Sequence, residues 1–163
     1  LDAAYDAITK TLDLNTLTID AQNMGVVNFS AQLGGIPKDM LRDPAQMQGL
    51  MATATLRGAR LSFANASIFD KGLDYAAGLT GQEPAQLKAQ APFVLGFGLA
   101  QINNEAFTKM VTSAVTDFLE NPKSLTVTIA PQNPVPVAQI AGAAMSSPKA
   151  VPDLLGVAVV ANQ

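Results

Sequence analysis

The sequence predicts an α+β domain in which a twisted antiparallel sheet of about five strands carries helices packed on one face. Residues 17–37 alternate apolar and polar side chains on both sides of Met24-Gly25, which is typical of a β-hairpin. Residues 104–122 carry one apolar stripe at helical spacing. The short connections between the early strands favour antiparallel pairing. At 163 residues the chain has the length of one ordinary domain, so a single domain is predicted over residues 1–163.

The first part of the chain predicts a helix followed by the hairpin. A helix over residues 1–12 is indicated by apolar side chains at helical spacing: Leu1, Ala4, Tyr5, Ile8 and Leu12. The hairpin is expected to bury one face, formed by Leu17, Ile19, Ala21, Val27, Phe29, Ala31 and Leu33. Its other face is polar with a single charge, and consists of Thr18, Asp20, Gln22, Asn28, Ser30 and Gln32.

The middle of the chain predicts a broken helix and then a long strand. Residues 38–51 form the broken helix, because Pro44 cannot continue a regular one. The strand covers residues 53–66, and its apolar alternation changes phase at Gly58-Ala59, which predicts a β-bulge there.

Three helices are expected next. Ser67, with Asp70 three residues later, is the expected N-cap of the first, and Gly78 its C-terminal stop. Pro84 opens the second, at a position where its missing N–H does no harm. Asn104 caps the third, which ends at Asn121-Pro122 and buries Phe107, Met110, Val111, Ala114, Phe118 and Leu119.

The chain closes with two more strands around a helical segment punctuated by prolines. The first is residues 124–131, with Leu125, Val127 and Ile129 expected to point inward. The second is residues 156–162.

Composition narrows the chemistry. With 48% apolar and 14% charged residues the chain should fold. A net charge of -3 without any cluster of Lys or Arg argues against a nucleic-acid partner. The chain has no His and no Cys, which removes the usual general base, the thiolate nucleophile and most zinc ligands. No cofactor and no metal are predicted.

Four short patterns resemble catalytic or ligand-binding motifs. Ser146 and Lys149 fit S-x-x-K, but Pro148 lies between them and the companion signatures are missing, so a helix-terminating loop is favoured. The aspartates at positions 39 and 43, and those at 70 and 74, are each spaced like a cation-binding pair, although solvated helix ends explain them better. Residues 96–101 contain two of the three glycines of a dinucleotide loop.

The candidate ligand or partner surface consists of Arg57, Arg60, Phe93 and Phe97. Arg57 and Arg60 flank the predicted bulge and can bind an anionic group, though such residues more often point to water. Phe93 and Phe97 lie in the apolar run 91–100, which either packs in the core, as is favoured, or lines a hydrophobic groove. The run is about half of the roughly 20 residues that a transmembrane helix needs, so no transmembrane segment is predicted.

Four stretches resemble the AsmA-like and related exported families of the bacterial cell envelope in the order of their elements. They are "LTIDAQNMGVVNFSAQLGGIP", "ATLRGARLSFANASIFDKGLDYAAGLTGQEPAQLKAQ", "FLENPKSLTVTIAPQNPVPVAQIAG" and "LLGVAVVAN". The resemblance implies an exported or membrane-anchored protein with an antiparallel sheet and a role in envelope integrity, lipid handling or assembly. It implies no catalytic residue.

Three hypotheses about function follow. The first is a non-enzymatic binding domain of a bacterial exported, periplasmic or envelope protein, trimmed from a longer precursor. It would engage a protein partner or an apolar or lipid ligand through the sheet or a groove beside it, as a monomer or a homo-oligomer. The second is a hydrolase using Asp/Glu or Ser/Lys chemistry. The third is a purely structural subunit of a larger assembly.

Overall fold

The computed structural model describes residues 1–41 and 47–163. An open antiparallel sheet carries helices packed on it, which confirms the predicted α+β class. The sheet has seven strands, and the two that were not expected are short.

The strands are β1 (Asp2–Asp6), β2 (Thr11–Ala21), β3 (Gly25–Gly34), β4 (Thr55–Asn65), β5 (Ser124–Ile129), β6 (Val135–Pro136) and β7 (Val157–Ala161). The helices are α1 (Met47–Thr53), α2 (Ile68–Thr80), α3 (Pro84–Ala100), α4 (Glu105–Glu120), α5 (Val137–Ser146) and α6 (Val151–Leu154). Within the described ranges, 3-10 turns cover Lys38–Leu41 and Pro148–Ala150. The strand order is β1, β2, β3, β4, β5, β7, and β6 pairs with β4.

The helix predicted over residues 1–12 is wrong, because these residues form β1, a turn and the start of β2. The Asp6 carboxylate accepts hydrogen bonds from the backbone N–H groups of Ile8 (2.8 Å) and Thr9 (3.3 Å) and so closes the turn. The bond from the Ile8 N–H, followed by those from Thr9, holds the pKa of Asp6 below its ordinary value. The helical spacing of apolar residues does not mark a buried face here, since Leu1 and Ile8 are exposed.

The described residues group into two compact units, each made of three stretches of chain. The first unit contains residues 1–18, 28–61 and 128–158. The second contains residues 19–27, 62–127 and 159–163. That residues 1–163 fold as one domain stays a prediction.

In the first unit, Ile36 is the most buried apolar side chain, at 2% exposure. Its backbone ties the N-terminal hairpin down: the Tyr5 hydroxyl donates to the Ile36 carbonyl (2.9 Å), and the Ile36 N–H donates to the Lys10 carbonyl (3.0 Å). The other buried apolar residues of this unit are Ala54, Val135 and Leu155.

The second unit is organised around the buried Phe118 ring of α4. The ring centroid lies 6.1 Å from that of Phe63 on β4 and 5.1 Å from that of Phe69 on α2, the latter in an edge-to-face arrangement. Ala77, Ala114 and Val159 are the other buried apolar residues.

The hairpin of residues 17–37 is confirmed as β2 and β3. Asn23 takes a left-handed φ of 60° in the turn, and the Met24 N–H donates to the Ala21 carbonyl (2.8 Å). The Thr18 hydroxyl donates to Asn28 Oδ1 (2.7 Å), so these two residues share a face as predicted. Ile19, expected inside, is 60% exposed.

The long strand is confirmed as β4, and its bulge at Gly58-Ala59 stays a prediction. The strand over 124–131 is confirmed as β5, but its most buried side chain is Thr126 and not one of its expected inward neighbours. The closing strand is confirmed as β7.

The strongest predicted helix is confirmed as α4. The Asn104 side chain accepts from the Phe107 N–H (2.9 Å) as an N-cap. Helix α2 begins as predicted but ends at Gly81, with a φ of 68°, instead of Gly78. Ser67 makes no side-chain cap on it.

Helix α3 begins at Pro84 as predicted, behind a capping box formed by Glu83 and Gln86. It continues through Pro92 to Ala100 as one helix. It packs against α4, and its second half is helical although Pro92 lacks the N–H of a regular turn.

The stretch expected as a broken helix contains the 3-10 turn Lys38–Leu41 and α1. Pro44 and Asp43 lie outside the described residues.

Candidate functional site

The start of helix α2 is hydrogen-bonded to the turn between β2 and β3. The Met24 carbonyl accepts from three successive N–H groups, those of Ala66, Ser67 and Ile68, at 2.9–3.0 Å. The Ser67 hydroxyl donates to the Asn23 carbonyl. Because the first N–H groups of a helix have no partner within it, this carbonyl replaces a side-chain cap and fixes where α2 starts.

Asn65 completes the anchor from the end of β4. Its Oδ1 accepts from the Phe69 N–H (3.1 Å), and its Nδ2 donates to the Pro122 carbonyl (2.8 Å). One amide side chain therefore satisfies a backbone donor of α2 and a backbone acceptor of the loop after α4.

A groove of about 430 Å³ lies along α2, and we call it the α2 groove. Its lining is Phe63, Ile68, Phe69, Gly72, Leu73 and Ala76. Phe63 belongs to β4 and the other five to α2, and no charged side chain is among them. The rings of Phe63 and Phe69 both rest on Phe118, so the aromatic part of the lining is fixed by the core.

Gly72 lines the α2 groove without adding a side chain to it. A Cβ added there would meet nothing within 4 Å. A glycine inside a helix costs about 1 kcal/mol relative to alanine, so its presence on α2 has no benefit for helix formation. A side chain at this position would add bulk to the lining of the groove.

Helix α3 carries a second apolar surface, made of Phe93, Val94 and Phe97, which we call the α3 face. Their side chains are 79%, 65% and 74% exposed. The prediction that the run 91–100 packs in the core is therefore wrong for these three residues, whereas Leu95 and Leu99 of the same run are half-buried. Lys88, one helical turn before Pro92, lies 5.5 Å over the Phe69 ring.

Arg57 and Arg60 belong to the first unit, where both line a groove of about 400 Å³ that we call the sheet groove. Both side chains are exposed. The four predicted surface residues therefore fall into two pairs, Arg57 with Arg60 and Phe93 with Phe97, on different units.

The acid pair on α2 is exposed to solvent, and the serine of the S-x-x-K pattern is bonded to the backbone of its own helix. Asp70 and Asp74 are both exposed on α2. Among the described residues, no group of three acids is placed to hold a metal ion. Ser146 is the last residue of α5, and its hydroxyl donates to the Gly142 carbonyl (2.8 Å). Gly96 and Gly98 lie inside α3, so they form no phosphate-binding loop.

Sequence reasoning missed the α2 groove as a set of residues. Its members were assigned to a strand and a helix, and only the packing of β4 against α2 makes a groove of them. The one local signal was Gly72, a glycine within a helical pattern that needs no turn there.

In the ranges 1–41 and 47–163, no helix is both long and apolar enough to span a bilayer. No curated protein and no solved structure matches the chain. A family model described as "Uncharacterized protein" matches residues 18–162, which include the α2 groove and the lining of the sheet groove except Leu14 and Asn15. The match covers most of the sequence, and the chain belongs to that family.

Proposed function

We propose that the protein is a non-catalytic binding domain of a bacterial exported or envelope protein, and that it takes an apolar ligand in the α2 groove. The observation that supports this is an apolar lining of six residues without a charged side chain. The volume of about 430 Å³ lies within the range of about 300–1,000 Å³ that small-molecule sites have.

An acyl chain is the ligand that fits this lining best. It offers only methylene groups, and burial of each contributes about 0.8 kcal/mol. Ten buried methylenes would give about 8 kcal/mol, which corresponds to a dissociation constant of about 1 μM before the cost of association is subtracted. We therefore expect micromolar or weaker binding.

The test uses a fluorescent fatty acid as the probe and Gly72→Leu as the variant. The wild type should bind the probe saturably, and unlabelled oleate should displace it. Leucine at position 72 adds a large side chain to the lining of the α2 groove and should abolish binding. Because leucine is a better helix former than glycine, the variant should be at least as stable as the wild type.

Gly78→Leu is the matched control. Gly78 is on the same helix, has nothing within 4 Å of an added Cβ, and does not line the α2 groove. It should bind the probe like the wild type. Absence of saturable binding by the wild type, or full binding by Gly72→Leu, would contradict the proposal.

The exported location is tested separately. Fractionation of source cells, followed by detection with an antibody against this chain, should find the protein in the periplasm or envelope. Native mass spectrometry of protein purified from that fraction should show a bound lipid that Gly72→Leu lacks. Recovery in the cytoplasmic fraction would contradict this part of the proposal.

The α3 face favours a second candidate function, that of a structural subunit in a larger assembly. Exposed aromatic residues in a group are more common at interfaces than on free surfaces. Burial of each of these apolar side chains contributes about 1.5–3 kcal/mol, which would favour association with a partner chain. This role does not depend on the α2 groove.

A further inference from the structure

The sheet groove of the first unit combines cationic, amide and hydroxyl side chains. Its polar lining residues are Asn15, Ser30, Gln32, Arg57 and Arg60. The rest of the lining is apolar or small, and consists of Leu14, Ala31, Gly58, Ala59, Ile129 and Ala130. The α2 groove, in contrast, has an apolar lining without a charged side chain.

The strands bring the two arginines to one groove despite their spacing. Residues three apart on a regular strand point to opposite faces, and the lining of this groove includes all four residues from Arg57 to Arg60. The change of phase predicted at Gly58-Ala59 would produce that arrangement. Such a bulge would bring the guanidinium groups of Arg57 and Arg60 to one ligand.

Neighbouring residues make room for Arg57 and hold Asn15. A Cβ added at Gly34 would lie 2.7 Å from Thr55 Oγ1 and 3.5 Å from Arg57 Cδ, so the absence of a side chain there leaves space for the arginine stem. The β1–β2 register pairs Asp2 with Thr16 and Ala3 with Leu14, which leaves Asn15 as an extra residue on β2. Asn15 Nδ2 donates to Asp2 Oδ2 (3.2 Å), which fixes the amide beside the groove.

The lining of the groove carries two positive charges and no negative one. No acidic side chain is in its lining, and neither guanidinium has a hydrogen-bond or ion-pair partner among residues 1–41 and 47–163. The whole chain carries a net charge of -3, so the two arginines are a local exception to an acidic protein. A guanidinium group presents its N–H donors as a planar fork that matches carboxylate or phosphate oxygens.

We propose that the sheet groove binds a small anionic, hydroxylated molecule, of the class of sugar acids and sugar or polyol phosphates. Its oxyanion would be held by Arg57 and Arg60, and its hydroxyl groups by Asn15, Ser30 and Gln32. The volume of about 400 Å³ suits one such molecule. This site is independent of the apolar ligand proposed above, since it lies on other residues.

The test is calorimetric titration of the full chain at low ionic strength with glucuronate, glycerol phosphate and uncharged glucose. Glucuronate or glycerol phosphate should bind saturably, and added salt should weaken that binding. Glucose should bind at least about tenfold more weakly, since it lacks the charge-assisted bonds. Preference between the two anions tells whether the carboxylate or the phosphate is the natural group.

Variants assign the binding to the two arginines. Arg57→Gln and Arg60→Gln should each weaken anion binding about tenfold or more, and Arg57→Lys should weaken it less because it keeps the charge and loses only the fork. Both positions are exposed, and an unchanged circular dichroism spectrum will show that the variants fold. Lys38→Gln removes the same charge from an exposed residue of the same unit outside the groove, and should bind like the wild type.

Three results would overturn the proposal. The first is no saturable binding of either anion by the wild type. The second is unchanged binding in both glutamine variants. The third is an equal loss in Lys38→Gln, which would show that the anions respond to overall charge only.

Discussion

Thr112 and Thr116 lie one turn apart on α4, and their hydroxyl groups differ in hydrogen bonding. Thr116 Oγ1 donates to the Thr112 carbonyl (2.8 Å). Thr112 Oγ1 is buried and has no hydrogen-bond partner among the residues that the structure describes. A buried hydroxyl without a partner has lost its water without compensation, which costs about 1–3 kcal/mol.

Replacing Thr112 by valine should therefore stabilise the protein. The change keeps the shape of the side chain and removes the unpaired oxygen, and we expect the free energy of unfolding to rise by about 1 kcal/mol. Urea denaturation followed by circular dichroism measures it.

Thr116→Val is the control, because it makes the same chemical change at a hydroxyl that has a partner. It should leave the free energy of unfolding unchanged or lower it by up to about 1 kcal/mol. Equal effects of the two substitutions would show that the state of the hydroxyl does not matter.

At the scale of elements, the turn Met24-Gly25 and the start of α2 depend on each other. Gly25 is buried at the start of β3, and a Cβ added there would lie 2.7 Å from the Ala64 carbonyl oxygen and 3.1 Å from Phe63 Cε2. The contact with the carbonyl involves backbone, which cannot move away as a side chain can. The same turn supplies the Met24 carbonyl that receives three N–H groups at the start of α2.

Gly25→Ala should lower the free energy of unfolding by about 1–3 kcal/mol, which is the usual cost of overpacking. Hydrogen exchange should show the loss of protection concentrated in the first turn of α2 and the end of β4. Gly98→Ala, on α3 where an added Cβ meets nothing within 4 Å, should instead stabilise by up to about 1 kcal/mol. A Gly25→Ala protein as stable as the wild type would show that the turn can shift freely.

The elements that the sequence predicted well are those in which local signals agree. In α4 the Asn104 cap, the apolar stripe and the Asn121-Pro122 stop all indicate the same helix. In the first twelve residues only the apolar spacing indicated a helix. The hydrogen bonds of the Asp6 carboxylate stabilise a turn there instead. Helix α3 began at Pro84 as predicted, and it packs on α4 and continues through Pro92.

The candidate sites also differ in whether local sequence signals could predict them. Arg57 and Arg60 could be named from the sequence because they flank a visible change of strand phase. The α2 groove could not, since it depends on the position of α2 on Phe63, which the Met24 carbonyl and Asn65 fix through bonds distant in sequence. Phe93 and Phe97 were named, but composition alone favoured a core position for them.

For the whole molecule, the α3 face predicts self-association. We expect the wild type to form oligomers reversibly as its concentration rises, and the double substitution Phe93→Ser/Phe97→Ser to remain monomeric, because two exposed aromatic side chains are removed from the interface. Sedimentation velocity over a range of concentrations measures this.

Tyr75→Ser/Leu79→Ser is the matched control on α2, since these two side chains are both 71% exposed and lie outside the α3 face. It should associate like the wild type if the α3 face is the interface. A wild type that stays monomeric at the highest concentration would contradict self-association through the α3 face and leave the apolar ligand of the α2 groove untouched.

The division of the described residues into two units has a genetic consequence. Each unit takes three separate stretches of the chain, and the chain passes from one unit to the other five times between Thr18 and Val159. No single crossover in a gene can therefore transfer one unit to another protein, and no internal deletion can remove one cleanly. We expect homologous chains to contain both units or neither. We expect the homologues to differ mainly by substitutions on the surfaces of the two units.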